Sequence, residues 1–183
     1  MADATEGSAL RRYAMDLLAR REHSRLELEE KLRRHCGKVA RSRARREVDS
    51  GGDSEFDSGR DDNSAAVSNV EALIAQTLNR LTEDGLQSDS RYAEVLIRSR
   101  VNRGQGPLKI RADLRQRGLD GEAVEPLLED YAEQWPELAQ QVVERRFGSD
   151  AAADRGDWAR RARFLAGRGF PDSLVGRVLG PLP

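Results

Sequence analysis

Cysteine, histidine and aromatic residues are scarce: one cysteine, two histidines and 5% aromatics in 183 residues. A lone Cys36 excludes a disulfide within the chain, and no Cys/His spacing fits a zinc site. A reducing, bacterial-type cytoplasm is the simplest compartment. Long apolar runs are missing too. No stretch approaches the ~20 residues that a membrane span needs, and the N-terminus has no hydrophobic signal segment. Hydrophobic residues reach 38% against 34% charged, too polar a mixture for one thick core. It suits small helical units that each bury a narrow stripe.

Charge of both signs is plentiful but segregated beneath a net charge of −1. Glu47 to Asp62 carries seven acids and one arginine, and Leu119 to Asp157 eleven acids and three arginines. Ala9 to Arg46 carries thirteen basic residues and five acids, and Trp158 to Pro183 five and one. Such blocks are either solvated faces or surfaces for charged partners.

Helical periodicity dominates, and nothing alternates long enough to suggest a strand. Leu10, Tyr13, Ala14, Leu17 and Leu18 mark one helix face. Ser24 with Glu27 reads as a capping box opening a second helix edged by Leu28 and Leu32. Ser68 with Glu71 reads as another, opening a helix lined by Val70, Leu73, Ile74, Thr77, Leu78 and Leu81 and stopped by Gly85. The stretch 37–67, basic then acidic and Ser/Gly-rich, has almost nothing to bury and is expected to be disordered.

Further on, Tyr92, Ala93, Leu96 and Ile97 share a face, and Gly106-Pro107 opens a helix that ends at Gly118. Val124, Leu127, Leu128, Tyr131, Ala132 and Trp135 form a helical stripe in which Pro126 implies a kink or a late start. From Pro136 a third pass shows Leu138, Val142, Val143 and Phe147. A polar link at 148–156 then leads to Trp158, Ala162 and Leu165, and Pro171 opens a last helix with Val175, Val178 and Leu179. An offset of 51 residues aligns Leu114, Arg117, Gly118, Leu119, Val124 and Leu128 with Leu165, Arg168, Gly169, Phe170, Val175 and Leu179, which marks an internal repeat. In the first unit Cys36 stands where Gly118 and Gly169 fall.

The expected fold is therefore all-α: three tandem three-helix repeats forming a curved, elongated helical array. Residues 1–9 are a flexible N-terminus. The first repeat spans 10–84 with its disordered insert at 37–67, the second 85–135 and the third 136–183.

No constellation supports catalysis, a metal or a cofactor. His23 and His35 lie twelve residues apart and read as surface histidines, with Cys36 a packed or idle thiol. Gly104-Gln105-Gly106-Pro107 lacks the Gly-Lys-Ser/Thr ending of a nucleotide-binding loop and reads as a linker. The informative cluster is basic. Arg98 to Arg117 holds seven cations and one acid, Asp113. Arg91, Arg98, Arg103, Lys109, Arg111, Arg115 and Arg117 are the candidate partner-binding residues, since guanidinium forks suit phosphates and carboxylates.

These phrases resemble the RecX family. The pieces are Ser24, Glu27, Leu28 and Leu32, then GLQSDSRYAEVLIRSR from Gly85, GPLKIRADLRQRGL from Gly106 and RFLAGRGF from Arg163, in the family's order. The likeness covers residues 10–36 and 68–180. The 37–67 insert departs from the pattern, as does Asp89, alone where the family usually has two acids. The resemblance implies a non-catalytic regulator that binds the RecA filament on single-stranded DNA. It would inhibit filament extension, ATP hydrolysis and strand exchange, and so modulate recombination, DNA repair and the SOS response. The expected protein is a cytoplasmic monomer with no membrane partner, and direct DNA contact is a further expectation. Two other classes stay open: a helical protein acting directly on nucleic acid, marked by steeply salt-dependent binding of naked DNA, and a helical scaffold for another acidic partner.

Overall fold

The computed structural model describes residues 2–49 and 60–183. Among the described residues, nine α-helices and two short 3-10 turns make up the regular structure, and there is no strand. The helices are α1 (Ala2–Leu18), α2 (Arg25–Asp49), α3 (Arg60–Glu83), α4 (Asp89–Asn102), α5 (Pro107–Arg115), α6 (Glu125–Glu129), α7 (Trp135–Phe147), α8 (Arg155–Gly167) and α9 (Asp172–Leu179). Among the described residues, no helix is long and apolar enough to cross a membrane. The chain divides into two compact units, Met1–Asp89 and Ser90–Pro183.

In the first unit, Leu10 and Ala14 of α1 meet Leu28 and Leu32 of α2 and Ile74, Leu78 and Leu81 of α3 in one buried core. Burying apolar side chains of this size stabilises by about 1.5–3 kcal/mol each, which holds the three stripes together. The Ser24 hydroxyl accepts from the Glu27 N–H at 3.1 Å, which is one half of the expected capping box; the Glu27 carboxylate pairs with Arg21 and His23 instead. The Asp89 carboxylate adds a second cap, accepting from the Arg25 N–H at 2.7 Å. Gly85, at φ +67°, ends α3, and the Leu86 N–H reaches back to the Leu81 carbonyl.

Three expectations for this unit change. Residues 2–9, expected to be flexible, belong to α1, whose Gly7 faces Leu73 closely enough that a β-carbon there would sit 3.3 Å from it. Residues 37–49 and 60–67, expected to be disordered, are helical extensions of α2 and α3. Ala, Arg and Lys are strong helix formers, so 38–46 propagates from the packed part without a core of its own. The rest of the insert, 50–59, lies outside the described residues. Ser68 is accordingly interior to α3 and caps nothing there, while Glu71 pairs with Arg33 at 2.7 Å.

The second unit packs α4 to α9 around Ile97, Ile110, Leu114, Leu128, Trp135, Leu165 and Phe170. The repeat is visible in its backbone. Gly118 and Gly169 have φ of +78° and +89°, and the next residue donates back five positions, Leu119 to Leu114 at 3.1 Å and Phe170 to Leu165 at 3.2 Å. These are matching Schellman stops. The stripe from Val124 to Trp135 is divided by a 3-10 turn at Ala132–Gln134, with α6 starting late around Pro126 and Trp135 opening α7. Proline removes an N–H and fits only the first helical turn.

The Gly104–Pro107 stretch is a packing device. The Gly106 and Leu108 N–H groups donate to the carbonyls of Arg168 and Gly169 at 2.9 and 3.0 Å, so the start of α5 lies against the end of α8. A β-carbon on Gly106 would come within 2.5 Å of the Gly169 carbonyl oxygen. Two backbones approach this closely only when side chains are absent.

A candidate interaction surface on the second unit

Burial of Tyr92, Ala93 and Ile97 orients α4, leaving Arg91, Val95 and Arg98 exposed. In α5, Ile110 and Leu114 are fully buried, so Leu108, Lys109 and Arg115 point to solvent. Val95 and Leu108 are about half exposed, which places apolar surface among the cations of both helices.

The seven candidate residues divide by what they touch. Arg111 grips Glu125 through two hydrogen bonds of 2.8 and 2.7 Å, which hold that carboxyl below its usual range. Arg117 donates to the Asp113 carbonyl at 2.9 Å. Asp113, the single acid of the run, is engaged by Arg100 at 2.8 Å. Arg98, Arg103, Lys109 and Arg115 are exposed and meet no carboxylate among the described residues. Arg91 is exposed on α4 and has an interaction of its own. The run is therefore a mixture of internal ties and uncompensated cations.

The fold adds residues that sequence reasoning left out. Arg103, at the turn after α4, joins Arg145 and Arg146 of α7 and Arg168 beyond α8 around a cleft of about 150 Å³, whose remaining walls are Val142 and Phe164. Arg168 donates to the Arg103 carbonyl at 2.9 Å, and its guanidinium lies 4.9 Å from the Phe164 ring centre. Phe164 stands edge-on to Phe147 at 5.3 Å. No carboxylate pairs with any of the four arginines among the described residues. Arg145 and Arg146 sit inside the 119–157 block that reads as acidic along the chain, and their partners are distant in sequence. Their position in the last turn of α7 was the only local sign, since cations favour helix C-termini.

The histidines and the thiol need one correction. His23 is buried, 2% exposed, with Nδ1 3.0 Å from a Glu27 carboxylate oxygen; it is not a surface residue. His35 stacks on Tyr13 with ring centres 4.0 Å apart. Cys36 is half-buried, and burial pushes its thiol up, which makes it a poor nucleophile. No group of His, Cys, Asp or Glu among the described residues could hold a metal ion.

Comparison with known proteins supplies the family context. Residues 88–128 match the family model of the second three-helix domain of RecX, and residues 132–179 match that of the third. The chain is 39% identical to Regulatory protein RecX of Pseudomonas syringae pv. tomato over 171 residues, 93% of this chain and 90% of that one. It is 40% identical to Regulatory protein RecX of Halorhodospira halophila over 167 residues, 91% of this chain and 84% of the relative. Among solved structures, RecX from Lactobacillus salivarius superposes with a TM-score of 0.68 at 20% identity, covering 96% of this chain and 95% of that one. At that identity the structural likeness concerns the fold, and it agrees with an all-α, three-helix-repeat architecture.

Proposed function

Because this chain belongs to the RecX family of regulatory proteins, we propose that it regulates RecA, binding the RecA filament on single-stranded DNA without catalysing a reaction itself. In this reading it acts as a cytoplasmic monomer. Bound protein inhibits filament extension, ATP hydrolysis and strand exchange, and so modulates recombination and the SOS response. The observation that carries the contact is the set of uncompensated cations Arg98, Arg103, Lys109 and Arg115 on an otherwise packed unit. Each can form charge-assisted hydrogen bonds with acidic side chains of a filament. Arg111 and Arg117 have ties inside the unit, so their share in the contact is smaller than that of the other four.

The test is RecA ATP hydrolysis on single-stranded DNA with added purified protein, in which hydrolysis should fall as protein is titrated in. The Arg98→Glu/Arg115→Glu variant replaces attraction with repulsion at two positions without an internal partner. It should weaken inhibition by at least ~2 kcal/mol, roughly thirtyfold in the half-inhibitory concentration. Undiminished hydrolysis with the parent protein overturns the RecA reading. Equal potency of parent and variant removes these cations from the contact.

A further inference from the structure

We infer that the arginine cleft of the second unit is a binding site for the phosphodiester backbone of single-stranded nucleic acid, used whether or not a protein partner is present. The first ground is charge compensation. Elsewhere four arginines that face other elements are paired with carboxylates: Arg11 with Asp84 and Arg33 with Glu71 in the first unit, Arg100 with Asp113 and Arg111 with Glu125 in the second. Arg103, Arg145, Arg146 and Arg168 converge on one cleft with no carboxylate partner among the described residues. Four like charges held together without a counter-charge repel one another, and an anion carrying repeated charge relieves that repulsion.

The second ground is preorganisation. Arg168 is fixed from two sides, by the Arg103 and Gly104 carbonyls at 2.9 and 3.4 Å and by the Phe164 ring beneath it. A guanidinium anchored through one nitrogen keeps its other donors for a ligand and loses little freedom on binding. Gly104 makes this possible, since a β-carbon there would lie 2.5 Å from a Val142 methyl and 3.3 Å from Arg168 Nη1.

The third ground is size and continuation. A cleft of about 150 Å³ takes one phosphate group with part of its sugar, not the width of a duplex. Lys109, whose backbone packs against Gly169, adds an uncompensated cation next to Arg168 in the chain's fold. Grooves of unpaired cations that follow a flexible backbone are how single strands are held without sequence preference.

The experiment uses the full chain without RecA and a fluorescein-labelled oligodeoxythymidylate, read by anisotropy across a salt series. The parent should bind, with affinity falling as salt rises. The Arg103→Ala/Arg145→Ala variant should bind at least tenfold more weakly, with a log-log salt slope shallower by about 1.4, since each lost phosphate contact on a single strand contributes about 0.7. The Arg12→Ala/Arg20→Ala variant removes the same charge from exposed positions of the first unit and should stay within twofold of the parent. Arg145→Gln, a single exposed change, should cost at least threefold and repeats the test should the double variant melt early. Equal losses in the two double variants, or no binding by the parent, overturn the site. Equally tight binding of a duplex of the same length overturns the single-strand assignment. Displacement of the oligonucleotide by polyglutamate at equal charge concentration reassigns the cleft to acidic polypeptides.

Discussion

When the three repeats are aligned, Cys36 in the first unit stands where Gly118 and Gly169 stand in the second, and the helices concerned end differently. α5 and α8 stop at glycines with φ of +78° and +89°, and the chain turns back at once. α2 passes Cys36 without interruption and runs on to Asp49, its residues 38–42 exposed. The stop therefore depends on one residue type, because an L-residue pays about 1–2 kcal/mol to enter the left-handed region. Without it, local propensity carries a helix past the end of its core. In the second unit the same glycine also lets α5 lie against α8, bringing Arg103 and Arg168 to one cleft.

The largest effect should come from breaking the stop that also serves packing. Gly169→Val adds backbone strain at positive φ and drives a side chain into Lys109. Strain and overpacking together should cost about 2–5 kcal/mol. Gly118 is exposed at φ +78°, so Gly118→Val should cost mainly the strain, about 1–2 kcal/mol. Urea unfolding followed by the fluorescence of Trp135 and Trp158, both in the second unit, reads the two values directly. Equal losses would mean that the α5–α8 approach adds nothing beyond the turn.

A smaller change sharpens the comparison from the other side. Cys36→Gly places a flexible residue at the aligned stop position, beside Gly37. Glycine inside a helix costs about 1 kcal/mol relative to alanine, and the exposed extension beyond it has no core to offset that. Helical ellipticity and hydrogen-exchange protection across Lys38–Arg46 should fall, while melting of the Leu10–Leu28–Ile74 core shifts little. Unchanged protection would show that the extension is held by something other than continuity with the packed part of α2.

Much of this architecture is legible in one dimension because its causes are local. Apolar stripes at helical spacing become the buried faces of α1 to α5. The Ser24–Glu27 cap and the glycine stops at 85, 118 and 169 stand where their residue types place them. Errors arise where tertiary context decides. Ser68 and Glu71 satisfy a capping pattern, but α3 is already formed upstream and Glu71 is taken by Arg33. The Val124–Trp135 stripe has helical spacing, yet Pro126 and a 3-10 turn divide it between two helices. The cationic surface was half legible: the run from Arg98 to Arg117 stands out, but which of its members are neutralised depends on Glu125 and Asp113 in three dimensions. The cleft was invisible, because Arg103 and Arg168 meet across 65 residues.

The smallest effect separates the two units by pH. His23 is buried in the first unit, and burial lowers its pKa, opposed by the hydrogen bond and charge of Glu27 and reinforced by Arg21 and Lys31. A folded-state pKa below the unfolded value of about 6.5 means that folding disfavours the proton. Above that value both states are neutral and the group has no pH effect. As pH falls below it, the unfolded chain binds a proton that the folded chain does not, and stability declines until the folded pKa is passed. Glu27 acts in the same direction at lower pH. Burial raises its pKa, but hydrogen bonds from Arg21 and His23 outweigh that and leave the carboxyl below its usual range. Its stabilisation is present above the unfolded value and lost as pH falls through the folded one. Between about pH 7 and about 5.5, where histidine titrates, the far-ultraviolet circular dichroism transition should move to lower urea. The tryptophan transition, reporting the second unit alone, should move less, so the two probes separate. His23→Gln should abolish the shift in that window whatever it does to stability at pH 7. If the variant keeps the parent's pH dependence there, another group in the first unit carries the proton.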